Sequence, residues 1–164
     1  MYSINCKGKL LNLSEPQVMG IINATPDSFY EGHINAGING MMALAEKMIA
    51  AGADILDIGG QSTRPGSKPI SAQEETDRIL PVLKSIHAAY PHCIISIDTY
   101  SSSVAAAAVH AGASIVNDIS AGNLDKEMLS SVAELGVPYI CMHMKGTPET
   151  MQQEPVYKNV VEEV

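Results

Sequence analysis

Positive charge is scarce in this sequence. Its 164 residues carry 10 Lys and Arg against 18 Asp and Glu, a formal net charge of −8. Neutralising a phosphate backbone takes clustered Lys and Arg, so this balance excludes a nucleic-acid-binding surface. It leaves room for a local cationic pocket. Cysteine is scarce as well: Cys6, Cys93 and Cys141 fall at no paired or metal-ligand spacing. That predicts buried free thiols in a reducing compartment, not a disulfide framework. No apolar run approaches the length that crosses a bilayer. The opening "MYSINCKGKLLNL" lacks the long apolar stretch of a secretory signal. The expectation is a cytoplasmic protein with no membrane partner. The chain has a single Phe, Phe29.

What is present is enough apolar residue for a core. The chain is 46% hydrophobic and 17% charged, the balance of one compact domain. Residues 1–13 predict a short hairpin turning at Lys7-Gly8-Lys9. Strand and helix patterns then alternate. A strand over 17–23 precedes a helix over 36–52, with Ile38, Met41, Ala45 and Met48 on its apolar face and Gly52 as its stop. A strand over 53–59 precedes a helix that opens at Ser71–Glu74, a capping box. Pro81 inside that helix predicts a kink or an irregular start. Strands over 93–98, 114–118 and 137–144 alternate with helices over 101–112, led by hydroxyl caps, and 124–136. A last helix is under way over 154–164. Repeated βα units with apolar strands imply a parallel sheet covered by helices. Five strands complete a doubly wound open sheet, or leave a (βα)₈ barrel unfinished.

Each strand ends on a polar residue: Asn23, Asp57, Asp98, Asn117 with Asp118, and His143. Parallel α/β folds gather their active sites at this edge, because the following loops converge there. Asp57 interrupts an apolar strand, where an unpaired carboxylate is costly, so it is either hydrogen-bonded or kept for function. Gly59 and Gly60 after it are expected to let the backbone turn sharply and approach a ligand. Ser62 and Thr63 then offer hydroxyls, Arg64 a planar cationic fork for phosphate, and Pro65-Gly66 a closing turn. The spacing matches neither a Walker A loop nor the dinucleotide fingerprint, so it describes another kind of anion loop. In "NATPDSFYEGH" (23–33), Asn23, Asp27 and Glu31 could place hard oxygens on Mg²⁺. Phe29 in that polar loop reads as a stacking lid. Met142 and Met144 flank His143 and suit a flat aromatic ligand, although alternating strand positions are equally ordinary core. His143 reads more readily as a satisfied structural histidine than as a catalyst.

The stretches "MGIINATPDSF" (19–29), "DIGGQSTRPG" (57–66), "SIDTY" (96–100), "IVNDISAG" (115–122) and "MHMKGTPETMQ" (142–152) closely resemble bacterial dihydropteroate synthase. The resemblance runs from about Leu11 to Val164. It implies an α/β, TIM-type (βα)₈ barrel, here the first five strands or so with the N-terminal hairpin, forming the N-terminal part of one pterin-binding domain. It implies condensation of 6-hydroxymethyl-7,8-dihydropterin pyrophosphate with p-aminobenzoate in folate synthesis, inhibition by sulfonamides, Mg²⁺ as cofactor, and a homodimer at full length. By the resemblance, Asn23 is the metal ligand. Asp98 and Asn117 read the pterin, with Asp57 in the polar floor and Met142 as a wall. Ser62, Thr63 and Arg64 meet the pyrophosphate, with Asp98, Asn117 and Arg64 as the catalytic group. Phe29 and Pro65 clamp p-aminobenzoate.

Two departures stand out. Gln61 occupies a position where many members carry Glu. The Asp, Lys and Arg-x-His that the family carries on later strands are absent from residues 1–164. The expectation is therefore a partial barrel with open edges, unstable or paired with another chain, and with little synthase activity by itself. The nearest alternatives are the pterin barrel of corrinoid-dependent methyltransferases and a non-catalytic pterin-binding protein.

Overall fold

The structure, a computed structural model, describes residues 2–25, 37–61, 69–148, 150–151 and 155–164. The chain begins with an antiparallel hairpin, β1 (Ser3–Cys6) and β2 (Lys9–Asn12). Its two-residue turn holds Lys7 at φ 52° and Gly8 at φ 89°, the left-handed pair that matches strand twist. Five parallel strands follow: β3 (Met19–Asn23), β4 (Ile55–Gly59), β5 (Ile94–Asp98), β6 (Ile115–Asp118) and β7 (Tyr139–Cys141). They pair in sequence order, β3-β4-β5-β6-β7. A doubly wound sheet reverses its order at a switch point. This sheet does not, and it has the strand order of a (βα)₈ barrel over its first five strands.

Helices α1 (Ile38–Ala50), α2 (Ala72–Ala89), α3 (Ser102–Ala111) and α4 (Met128–Leu135) cover one face, and α5 (Val160–Glu163) ends the chain. The main core lies between that face and the helices. Ile22, Ile58, Ile97 and Val116 share one register line and pack against residues such as Ile79, Leu83 and Val104. The opposite face is layered. At its N-terminal end, Ile55, Ile94 and Ile115 pack against Cys6 and Leu11 of the hairpin. Two lysines fasten the hairpin there: Lys7 Nζ donates to the Val109 carbonyl oxygen at 2.8 Å and Lys9 Nζ to that of Cys93 at 2.7 Å. The hairpin is thus the apolar floor of the inner face, and the polar residues stand above it.

Local signals explain most element ends. Ser71 caps α2, its hydroxyl accepting from the Glu74 amide at 3.2 Å. Gly112 and Gly136 stop α3 and α4 with positive φ, as glycine permits most cheaply.

Several expectations need correction. Helix α2 starts at Ala72 and runs unbroken through Pro81. Pro81 is exposed, so water can solvate the carbonyl that its missing N–H leaves free. Ser101 makes no side-chain cap. Asp125, from the loop before α4, accepts from the Ser102 amide at 2.7 Å instead, and this holds the Asp125 carboxyl below the usual range. Helix α4 begins only at Met128, β7 is three residues long, and α5 covers four. Of the three free thiols, Cys6 is buried and Cys93 half-buried, but Cys141 on the edge strand is exposed.

Candidate active site

The strand register places Asn23, Gly59, Asp98 and Asn117 side by side across β3, β4, β5 and β6. Neighbours in a parallel register point to the same face, and side chains alternate along each strand. This row therefore crowns the inner face at the C-terminal end. One layer below stand Ile21, Asp57 and Ser96. The layer beneath holds Ile55 and Ile94 on the hairpin floor. Going up, the face changes from hydrocarbon to carboxylate and amide within three layers.

The polar layers are joined. Asn117 Nδ2 donates to Asp57 Oδ2 at 3.0 Å. A hydrogen bond to a buried charged acceptor is worth roughly 1.5–3 kcal/mol. It answers one of the two open choices for Asp57, which is hydrogen-bonded, though only on one oxygen. Asp57 Oδ1 and the Ser96 hydroxyl are buried without an aligned partner. Burial pushes the Asp57 carboxyl up, against the pull of nearby Ser96 and Asn117. Asp98 is displaced further, up to about 7, first by burial and then by the carboxylates of Asp57, Glu75 and Asp118. At neutral pH its carboxyl divides between acid and carboxylate, so it can donate or accept.

Neither Gly59 nor Gly60 has positive φ, and each has a close neighbour within the protein. A Cβ on Gly59 would lie 3.3 Å from Asp98 Oδ2, and one on Gly60 would lie 2.8 Å from Ile79 Cγ2 and 3.0 Å from Glu75 Cγ. The first glycine makes room for the Asp98 carboxyl. The second lets α2 close on the sheet.

Asp118, paired with Asn117 at the end of β6, belongs to the scaffold. Its Oδ1 accepts from the Ser120 amide and hydroxyl, and its Oδ2 from the Gly122 amide and, at 2.6 Å, the Tyr139 hydroxyl. It ties the β6–α4 loop to β7. The Met142 amide donates to the Asp118 carbonyl oxygen at 3.2 Å, which extends the ladder one residue past β7. Alternation from Ile140, the register partner of Asn117, puts partly exposed Met142 on the inner face. His143 Nε2 lies 3.1 Å from the Tyr157 hydroxyl and is exposed. Asn23 is exposed at the end of β3. Phe29, Ser62, Thr63, Arg64 and Pro65, like Asp27 and Glu31, lie outside the described residues.

No sequence signal marks Glu75, and Gln61 stands out only as a departure from the family pattern. Glu75 is buried beside Gly60. Gln61 Nε2 donates to the Tyr100 hydroxyl at 2.5 Å, a contact between two strand ends that only the fold brings together.

Comparison with known proteins agrees with this geometry. The family model described as "Pterin binding enzyme" matches residues 19–164. The dihydropteroate synthase of Escherichia coli (strain K12) is 42% identical over 158 residues, covering 96% of this chain and 55% of that protein. The mitochondrial folate synthesis bifunctional protein of Arabidopsis thaliana is 50% identical over 143 residues, 86% of this chain and 26% of its own length. A crystal structure of the Yersinia pestis dihydropteroate synthase with a sulfonamide drug superposes with a TM-score of 0.88 at 39% identity, covering 98% of this chain and 58% of that one. The chain thus spans from under a fifth to somewhat over half of the length of the proteins it matches. With the family model covering the entire parallel sheet and its polar strand ends, this chain belongs to the pterin-binding enzymes.

Proposed function

We propose that this chain supplies the pterin- and diphosphate-binding part of a dihydropteroate synthase, joining 6-hydroxymethyl-7,8-dihydropterin pyrophosphate to p-aminobenzoate with release of pyrophosphate. The carrying observation is the Asp98–Asn117 pair in one register row above the Asn117–Asp57 hydrogen bond. A pterin edge is a row of N–H donors and ring-nitrogen acceptors. A carboxylate and an amide on adjacent strands answer it with both kinds of group. The names of the relatives, and the sulfonamide held by the Yersinia pestis enzyme, support the same reading.

In this reading Asp98 and Asn117 hold the pterin, Asp57 steadies Asn117, and Met142 walls the ring. The bond between the pterin methylene and the diphosphate oxygen breaks and leaves positive charge on the methylene. Carboxylates at Asp57 and Asp98 stabilise that charge in a low-dielectric site. The amine nitrogen of p-aminobenzoate then attacks, and its proton is lost to water. Ser62, Thr63 and Arg64 are assigned to the diphosphate, and Phe29 and Pro65 to p-aminobenzoate.

The residues fit Mg²⁺ in a limited way. Among the described residues no group of three His, Cys, Asp or Glu is arranged to hold a metal. Mg²⁺ commonly keeps several waters and takes few protein oxygens beside substrate phosphates. Asn23, exposed in the same row as Asp98, offers one amide oxygen of this kind. Bound there, the ion would neutralise charge on the leaving diphosphate. A homodimer and a cytoplasmic location belong to the same proposal. The free thiols support a reducing compartment, and among the described residues no helix is long and apolar enough to cross a membrane.

The test is condensation by the full encoded chain, followed by chromatography of dihydropteroate. Product should form with both substrates and Mg²⁺, and Asn117→Ala should lower kcat/KM by about tenfold or more, the worth of one charged hydrogen bond. Pterin binding without any condensation would favour a binding protein over a synthase.

A further inference from the structure

Glu75 is a buried ionisable group for which the proposed pterin contacts have no use. It lies in the first turn of α2, 3% exposed, and its Oε1 has no hydrogen-bond partner. The cation one turn along the same helix is engaged elsewhere: Arg78 donates to the Gly60 carbonyl oxygen at 3.0 Å and to Glu74 at 2.5 Å. The helix dipole favours an acidic residue in this turn, but that preference is met as well by exposed Glu74 and does not call for burial.

The position of Glu75 relative to Asp98 is more telling. Gly59 and Gly60 stand between them. A Cβ on Gly59 would reach Asp98 Oδ2 at 3.3 Å, and a Cβ on Gly60 would reach Glu75 Cγ at 3.0 Å. The Gly59–Gly60 backbone thus has Asp98 against one residue and Glu75 against the next. Just past β5, Thr99 follows Asp98 directly and lies beside the Glu75 carboxyl. Charges separated by protein interact more strongly than charges separated by solvent.

We propose that Glu75 is a positioning residue of the pterin site, acting across the Gly59–Gly60 backbone to keep a proton on the Asp98 carboxyl while the site is unliganded. Its use in catalysis rests on the synthase reading, but the coupling itself does not. Asp98 is faced by Asp57 from β4, Asp118 from β6 and Glu75 from α2. Asp118 is saturated by four donors and Asp57 accepts from Asn117. Burial pushes the Glu75 carboxyl up, against the pull of Thr99 and Arg78, and its charge also reaches Tyr100. The upward displacement of the Asp98 carboxyl to about 7 agrees with this placement. Pterin N–H donors reward the ionised form, so ligand arrival should expel the proton.

The test is a pH titration of the full encoded chain by infrared spectroscopy, with the Asp98 carboxyl band assigned by its loss in Asp98→Asn. The wild-type midpoint is expected above the ordinary carboxylate range. Glu75→Gln should move it down by about half a pH unit or more, and Glu75→Asp, which keeps the charge, should leave most of the upward displacement in place. An unmoved midpoint in folded Glu75→Gln, or an equal fall in Glu75→Asp, overturns the proposal. Should Glu75→Gln not fold, Asp98→Asn carries the test in reverse: the Glu75 carboxyl must then titrate at lower pH than in the wild type, and no shift overturns the proposal. None of these readings needs a ligand. Calorimetry with 6-hydroxymethylpterin, run beside them, tests the pterin site separately, so the coupling and the synthase reading can fail independently.

Discussion

At the scale of single residues, the account turns on Asp98. Its folded-state carboxyl lies at about 7, above the ordinary value near ~4. The folded protein thus holds a proton that the unfolded chain has lost, and stability falls as pH rises through that window. Asp98→Asn removes the penalty. The variant should melt higher than wild type at pH 8 and about equally at pH 4, by calorimetric scans at both pH values. It should also bind 6-hydroxymethylpterin about tenfold or more weakly at pH 8. A gain in stability joined to a loss of affinity marks a residue kept for function. Gly59→Ala probes the same group from the other side. A methyl 3.3 Å from Asp98 Oδ2 must displace the carboxyl, so pterin affinity should fall while the far-ultraviolet circular dichroism spectrum stays the same.

At the scale of elements, α2 combines a good start with a poor interior. Ser71→Ala removes the hydroxyl that accepts from the Glu74 amide and should cost about 1 kcal/mol in urea unfolding. Pro81→Ala restores a backbone donor inside the helix and should stabilise by about 1 kcal/mol or more. What the sequence reveals at this scale is local chemistry. The Lys7-Gly8 turn, the Ser71 cap and the stops at Gly112 and Gly136 are each written within a few residues, and each stands in the structure. What it hides depends on distant partners. The cap of α3 comes from Asp125, 23 residues away, and no spacing rule reaches that far. Gly59 and Gly60 look like a ligand loop by composition, whereas their close neighbours belong to β5 and α2. Glu75 carries the same letter as the exposed Glu74 beside it, and only helix phase separates the two.

At the scale of the whole molecule, the polar strand ends were legible as a set because parallel strands all point one way. Of that set, register brings Asn23, Asp57, Asp98 and Asn117 to the inner face, whereas Asp118 ties the β6–α4 loop to β7 and His143 lies past β7 against Tyr157. The layering also leaves hydrocarbon uncovered. Above the hairpin floor, Ile21 on β3 is 59% exposed, and Ile140 and Met142 at the opposite, β7 side are exposed too. Strands β3 and β7 end the described sheet on either side. Open edges beside apolar surface recruit further strands. The 164-residue chain in dilute buffer should therefore associate with increasing concentration, as sedimentation velocity would reveal. A monodisperse monomer across a hundredfold concentration range would mean that these edges are protected.

The central claim is that carboxylate and amide side chains on neighbouring strand ends hold a pterin. The most direct measurement is a crystal structure of the full encoded chain grown with 6-hydroxymethylpterin. The bicyclic ring is expected within hydrogen-bonding distance of both the Asp98 carboxylate and the Asn117 amide, over the Asp57 layer. A ring bound elsewhere, or an inner face that excludes it while Asp98 and Asn117 turn apart, would contradict the account.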